Sequence, residues 1–122
     1  MAISLITFGY KYGIPEGADI VLSAKKLPNP WQFVRMRNMT GLDDEVYELV
    51  VNNHKAVEFI NKAMKYITYK HLIKEHSGDT LKVAIGCIGG KHRSVSIARR
   101  LHEIYTEEGI EVTLYHRDVK KR

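Results

Sequence analysis

The apolar and polar positions along this chain form two kinds of pattern, short apolar runs and longer stretches with helical spacing. Short, largely apolar runs occupy residues 3–10, 19–24, 81–86 and 111–116, and turn-forming or polar residues bound each of them. Runs of this length and composition are typical of β-strands. The sequence therefore predicts four strands.

Helical spacing appears in two stretches. Apolar residues recur every three or four positions over residues 46–69, which predicts one long helix with Asp43 and Asp44 as caps at its N-terminus. A second helix is predicted to begin near Arg93 and to stop at Gly109, a residue type that commonly ends helices.

The order of these elements predicts the fold class. A strand, a glycine-rich loop, a helix and a strand follow one another within residues 81–116, and this βαβ order implies a parallel sheet with a right-handed crossover. We therefore expect one small α/β domain over residues 1–122, with a mainly parallel sheet of about four strands flanked by helices. The prolines of "LPNPW" (27–31) predict irregular backbone, and "SGD" (77–79) predicts a turn.

Composition narrows the class of protein and of partner. The 122 residues are 44% hydrophobic and 27% charged, which is typical of a globular domain. No apolar run approaches the roughly 20 residues of a membrane span, the start has no signal-peptide pattern, and a single cysteine suits a reducing compartment. We expect a cytoplasmic protein without a membrane partner. The net charge of +5 favours anionic partners, and the oligomeric state stays open.

The stretch "GCIGGKHRSV" (86–95) is the strongest candidate for a binding site. Its glycines allow successive backbone N–H groups to point inward, and the following helix presents its positive end there. Lys91, His92 and Arg93 add cationic donors. The loop therefore predicts a phosphate site, and the alternative is a structural turn with solvated cations. Neither a Walker A motif nor a zinc-spaced cluster occurs, so we expect no metal and no cofactor.

The same stretch also matches the Cys-x5-Arg pattern of cysteine-dependent phosphatases. In that alternative Cys87 is the nucleophile and Arg93 binds the phosphoryl oxygens. The chemistry also needs an acid for the leaving group. Asp43 and Asp44 are interpreted as helix caps and Asp118 falls in the tail, so the general acid is missing. Binding without catalysis is the preferred interpretation.

Five motifs in order give the chain a family resemblance. They are "FGYKYGIP", "LPNPW", "TGLDDEV", "GCIGGKHRSV" and "HRD", and together they span residues 7–118. The chain resembles the C-terminal domain of the RapZ/YvcJ family, the RNase adapter proteins. In that family a P-loop domain precedes this one, and the sequence has no counterpart of it. The resemblance therefore implies a stand-alone version.

The resemblance implies a phosphorylated small-molecule ligand, which would be a nucleotide or an amino-sugar phosphate. It also implies a second function, in which the domain binds small RNA or acts as a regulatory adapter. Two departures bear on the ligand: Ile88 replaces a family threonine, and Ser23-Ala24-Lys25 replaces an Asp-x-Arg pattern. The residues expected at the ligand, from the loop, the other strand ends and the resemblance together, are Lys11, Tyr12, Gly13, Asn29, Cys87, Gly89, Gly90, Lys91, His92, Arg93, Ser94, His116 and Arg117.

The basic tail carries the RNA prediction. An RNA-binding face would extend into this tail, where RNA phosphates would contact Lys120, Lys121 and Arg122. The other members of that face would be Arg35, Arg37, Arg99 and Arg100, the last two exposed on the second helix. Trp31 is interpreted as part of the core.

Overall fold

The computed structural model describes residues 2–73 and 80–121. Four strands, β1 (Ala2–Gly9), β2 (Ile20–Ser23), β3 (Thr80–Cys87) and β4 (Glu111–His116), form one sheet in the order β2-β3-β1-β4. Every neighbouring pair is parallel. The predicted fold class is therefore confirmed. Within the sheet, the predicted and observed strands differ only at their ends, most clearly at Tyr10, which begins a 3-10 turn instead of ending β1.

The core is formed by the sheet, by the helix α3 (Arg93–Glu107), which packs on β1, β3 and β4, and by buried residues of the helical segment 46–67. Alternate residues of β1, such as Ile3 and Leu5, are buried, and Leu101 and Tyr105 of α3 are buried with them. The helix ends where the sequence predicted, since Gly109 adopts a φ of 75° that favours glycine.

The long helix predicted over residues 46–69 is two helices, α1 (Asp44–Val51) and α2 (His54–Ile73), so that prediction is wrong. The break lies at Asn53. Its side-chain amide donates to the carbonyls of Leu49 and Val50, at 3.2 and 2.7 Å, and its Oδ1 accepts from the Ala56 N–H at 2.9 Å. An asparagine side chain competes with backbone hydrogen bonds in this way and ends one helix while it caps the next.

The proline-rich stretch contains two 3-10 turns, Pro30–Gln32 and Val34–Met36. Asn29 caps the first, because its Oδ1 accepts from the Trp31 N–H at 3.1 Å. Pro30 is buried and the indole of Trp31 is turned outward, 55% exposed, so the prediction of Trp31 as a core residue is wrong. The turn predicted at 77–79 lies outside the described residues. Of the helices within 2–73 and 80–121, none combines the length and apolar character that a membrane crossing requires.

Candidate functional site

The sheet order creates a crevice at the carboxyl ends of β1 and β3. These strands are parallel neighbours, so their carboxyl ends lie side by side at one edge of the sheet. Ligands of open α/β sheets bind beyond the carboxyl ends of the strands. A cavity of about 370 Å³ opens there. Its lining residues are Lys11, Asn29, Trp31, Arg37, Cys87, Ile88, Gly89, Lys91, His92 and Arg93.

Glycines allow the loop after β3 to press against the end of β1. Gly90 has a φ of 74°, and a Cβ on it would lie 2.5 Å from the Gly9 nitrogen. A Cβ on Gly9 would lie 2.5 Å from the carbonyl carbon of Gly89. Gly89 itself faces open space, since a Cβ there would meet no atom within 4 Å. The two backbones therefore touch at Gly9 and Gly90, while Gly89 borders the cavity.

Hydrogen bonds to its carbonyl groups hold the loop from several directions. The Lys11 N–H donates to the Ile88 oxygen at 3.3 Å, and the Gly41 N–H donates to the Lys91 oxygen at 2.8 Å. At the start of the loop, the Ala24 N–H donates to the Gly86 oxygen at 2.8 Å. Hydrogen bonds to these three carbonyl groups fix the path of the loop.

The N–H groups of the same loop lack such partners. Within 2–73 and 80–121, no residue accepts a hydrogen bond from the backbone N–H of Gly89, Gly90, Lys91 or His92. The helix α3 begins directly afterwards at Arg93, so its positive end lies at these groups. Free N–H groups before a helix N-terminus form an anion-binding arrangement.

The charge of the cavity wall has one sign. Lys11, Arg37, Lys91 and Arg93 line it, and no Asp or Glu of the described ranges does. The Arg93 side chain is buried, and its Nη1 donates a hydrogen bond to the carbonyl oxygen of Lys25. That contact fixes the guanidinium, and the other N–H donors of the group can still bind a ligand. The wall therefore attracts anions.

His92 supports the loop from inside the protein. Its ring is buried, and Nε2 lies 3.1 Å from the carbonyl oxygen of Met36. Burial is the main effect on this ring, and it lowers the pKa of His92 below the usual value. A neutral ring that donates to Met36 orients the turn at Val34–Met36 against the loop.

Cys87 lies buried at the base of the loop. Its Sγ is 3.2 Å from the Ser94 Oγ, and the Ser94 N–H donates to the sulfur at 3.4 Å. No carboxylate in the described residues is aimed at this sulfur across the cavity. Asp43 accepts a hydrogen bond from the Thr40 N–H at 2.8 Å, and Asp44 pairs with an arginine of α3. The general acid that phosphatase chemistry needs is not among the lining residues.

Comparison with known proteins decides the family. The sequence profile described as the RapZ C-terminal domain matches residues 1–120. This chain belongs to the RapZ C-terminal domain family. The predicted resemblance is thereby confirmed for nearly the whole chain.

Several curated relatives of this RapZ-type domain are similar in sequence. A nucleotide-binding protein of Thermoanaerobacter sp. (strain X514) is 44% identical over 119 residues, which are 96% of this chain and 42% of the relative. Nucleotide-binding proteins of Desulforamulus reducens and Listeria innocua are each 39% identical, over 123 and 121 residues. These alignments cover 99% and 98% of this chain and 41% of each relative. The chain spans about two fifths of the length of these relatives.

The remaining candidate ligand residues of this RapZ-type domain lie outside the cavity wall. They are Tyr12, Gly13, Gly90, Ser94, His116 and Arg117, and the wall instead includes Trp31, Arg37 and Ile88. The Nδ1 of His116 is 2.8 Å from the Thr7 Oγ1, and burial lowers the pKa of this ring. The Nη2 of Arg117 donates to the Gly13 oxygen at 2.6 Å. These two residues at the end of β4 thus bind the protein itself.

The residues proposed for an RNA-binding face are largely paired within the protein. Lys121 lies 2.9 Å from a carboxylate oxygen of Asp118, and Arg122 lies outside the described residues. Among the arginines, Arg35 pairs with Glu45, and Arg99 pairs with Asp44 at 2.7 Å. The neighbouring arginine at position 100 lies 3.3 Å from the carboxylate of residue 103. The side chains at positions 99 and 100 are both only partly exposed, so the prediction that both are exposed is wrong.

Proposed function

We propose that this domain binds a nucleotide, with its phosphates against the loop formed by residues 88–92. The observation that carries the proposal is a loop at the N-terminus of α3 whose backbone N–H groups have no acceptor within 2–73 and 80–121 and which borders a cavity lined by cations. The names of the curated relatives, which call them nucleotide-binding proteins, support the same ligand class.

Three kinds of donor would hold the phosphates. The N–H groups of the loop would bind an oxyanion with little reorganisation, because hydrogen bonds to the Ile88 and Lys91 carbonyl groups already hold the loop. Lys11 and Lys91 neutralise charge from two sides of the cavity. Arg93 adds a fixed, planar donor at its base. A ligand with several negative charges matches this wall better than a singly charged one.

Another part of the cavity wall suits a flat, uncharged group. Trp31 presents an indole to the solvent at the cavity, and Arg37 holds its backbone, with Nε donating to the Trp31 carbonyl oxygen at 2.7 Å. The guanidinium carbon of Arg37 lies 5.2 Å from the ring centroid. Indole and guanidinium planes stack on bases. An amino-sugar phosphate would bring an ammonium group to a wall without a carboxylate, so the chemistry favours a nucleotide.

Isothermal titration with ATP, GTP, glucosamine 6-phosphate and inorganic phosphate tests the proposal. We expect a nucleotide to bind most tightly and Lys11→Ala to weaken it about tenfold, the lower limit for a charge-assisted hydrogen bond. Lys55→Ala is the matched control, because this exposed lysine of α2 lies outside the cavity and its removal changes the charge equally. A wild-type domain that binds none of the four compounds, or a Lys11→Ala domain with wild-type affinity, would overturn the proposal.

A further inference from the structure

Asp118 is a fully buried carboxylate that lies outside the cavity wall. We propose that it is a positioning residue for the ligand site, which holds the end of β1 and the turn carrying Lys11 against the phosphate loop. The inference rests on the proposed function, because it assigns the ligand affinity of that site in part to the segment after β4.

One side of the carboxylate reaches the phosphate loop through the backbone of β1. Oδ2 of Asp118 accepts a hydrogen bond from the Gly9 N–H at 2.7 Å. Gly9 touches the loop, since a Cβ on Gly9 would lie within 2.9 Å of the Gly90 nitrogen and 2.5 Å of the Gly89 carbonyl carbon. A displacement of Gly9 therefore transmits directly to the peptide groups that would face the phosphate.

Two cations connect the carboxylate with the turn that carries Lys11. Arg117 contacts Asp118 with both Nε and Nη2, at 3.0 and 2.8 Å, and the same Nη2 donates to the Gly13 oxygen. Lys121 lies 2.9 Å from Oδ1 and places its ammonium 4.5 Å from the centroid of the Tyr12 ring. The turn Tyr10–Tyr12 is thus held at its exit by cations that Asp118 fixes.

The contacts of the carboxylate explain why an aspartate is needed at this position. Both oxygens accept, and the four donors come from Gly9, Arg117 and Lys121. An amide of the same shape offers one oxygen and places an NH₂ group where a donor already lies. Asp118→Asn therefore breaks the network while it preserves the volume of the side chain.

The first test compares ATP affinity among variants by titration calorimetry. We expect Asp118→Asn to weaken ATP binding about tenfold, because ligand contacts depend on placement to a fraction of an ångström. Lys121→Ala should weaken it less, and Lys55→Ala, which removes the same charge far from Asp118 and outside the cavity, should leave it unchanged. Equal affinity in wild type and Asp118→Asn would overturn the inference while leaving the proposed function intact.

A double-mutant cycle separates positioning from general loss of stability. If Asp118 acts in part through Lys11, then Asp118→Asn should cost clearly less affinity in a Lys11→Ala background than in the wild type. A purely structural role would give additive losses, which would refute the inference. The milder Lys121→Ala variant can replace Asp118→Asn in the cycle if the latter does not fold.

Amide hydrogen exchange gives a measurement that does not need a ligand. The Gly9 N–H should exchange faster in Asp118→Asn than in wild type, relative to an amide in the middle of β3 such as that of Val83. If wild type binds no nucleotide, the proposed function fails, and accelerated Gly9 exchange still supports the contact itself. Unchanged Gly9 exchange would refute the inference even in a domain that binds ATP.

Discussion

Substitution of each of two adjacent glycines separates the folding of the loop from its binding function. Gly90 has a positive φ of 74°, and an added Cβ would lie 2.5 Å from the Gly9 nitrogen and 2.7 Å from the Phe8 carbonyl carbon. Left-handed backbone costs an alanine about 1 kcal/mol, and overpacking against backbone adds roughly 1–3 kcal/mol. We therefore expect Gly90→Ala to lower the free energy of unfolding by about 3 kcal/mol.

Gly89→Ala is the matched substitution, because its added methyl would meet no protein atom within 4 Å. Its effect on the free energy of unfolding should stay within about 1 kcal/mol, as for a substitution that disturbs no contact. The methyl would nevertheless occupy the cavity next to the free N–H groups, so nucleotide affinity should fall at least about tenfold.

Urea unfolding and titration calorimetry of both variants give the two answers. A Gly90→Ala domain as stable as wild type would refute the close approach of Gly9 and Gly90. A Gly89→Ala domain that is stable and binds nucleotide like wild type would show that phosphate does not bind at this loop. The stability of Gly90→Ala thus tests a backbone contact, and the affinity of Gly89→Ala tests the position of the ligand.

Three further predictions concern acid stability, catalysis and RNA. Burial raises the pKa of Asp118, but hydrogen bonds from Arg117, Gly9 and Lys121 lower it to about 2, below its usual 3.8. About 2 kcal/mol of stability should therefore be present above pH 3.8 and lost as the pH falls toward 2, and urea unfolding of wild type and Asp118→Asn should converge there. The wild-type domain should not hydrolyse aryl phosphates. Hydrolysis by the wild type that is lost in Cys87→Ser would instead support a cysteine-dependent phosphatase activity. Removal of residues 120–122 should reduce the slope of log K against log salt for RNA binding by about 2, at roughly 0.7 per phosphate contact, as measured by filter binding. A full-length chain that binds no RNA at moderate salt would refute this prediction.

The sheet could be predicted from sequence because its signals are local. Each strand is a short apolar run between turn-forming residues, and the order of strand, glycine loop and helix requires a parallel arrangement. The break between α1 and α2 could not be predicted from periodicity, since apolar spacing continues through Asn53 and only the side-chain hydrogen bonds of that residue interrupt the helix. Asparagine in the middle of the stretch was the available signal.

The candidate site was predictable at the level of loops and less so at the level of side chains. Glycines and cations in one loop located the wall that includes Gly89 and Lys91. The direction of Trp31 depends on how Asn29 and Pro30 are held by the rest of the fold, which no local pattern contains. His116, at a strand end of the same edge, turns to Thr7 because its neighbours place it in the interior.

The hydrogen bonds that hold the loop formed by residues 88–92 also determine when it can form during folding. The partners of this loop are distant in sequence: Lys11 holds Ile88, Gly41 holds Lys91, and the nearby Gly9 is held by a residue 109 positions away. Closing such distant contacts is slow and comes after local helices have formed. A synthetic peptide with the sequence "GCIGGKHRS" would contain every donor of the loop and would not bind phosphate. Recovery of nucleotide binding during refolding should accordingly lag behind the recovery of helical circular dichroism.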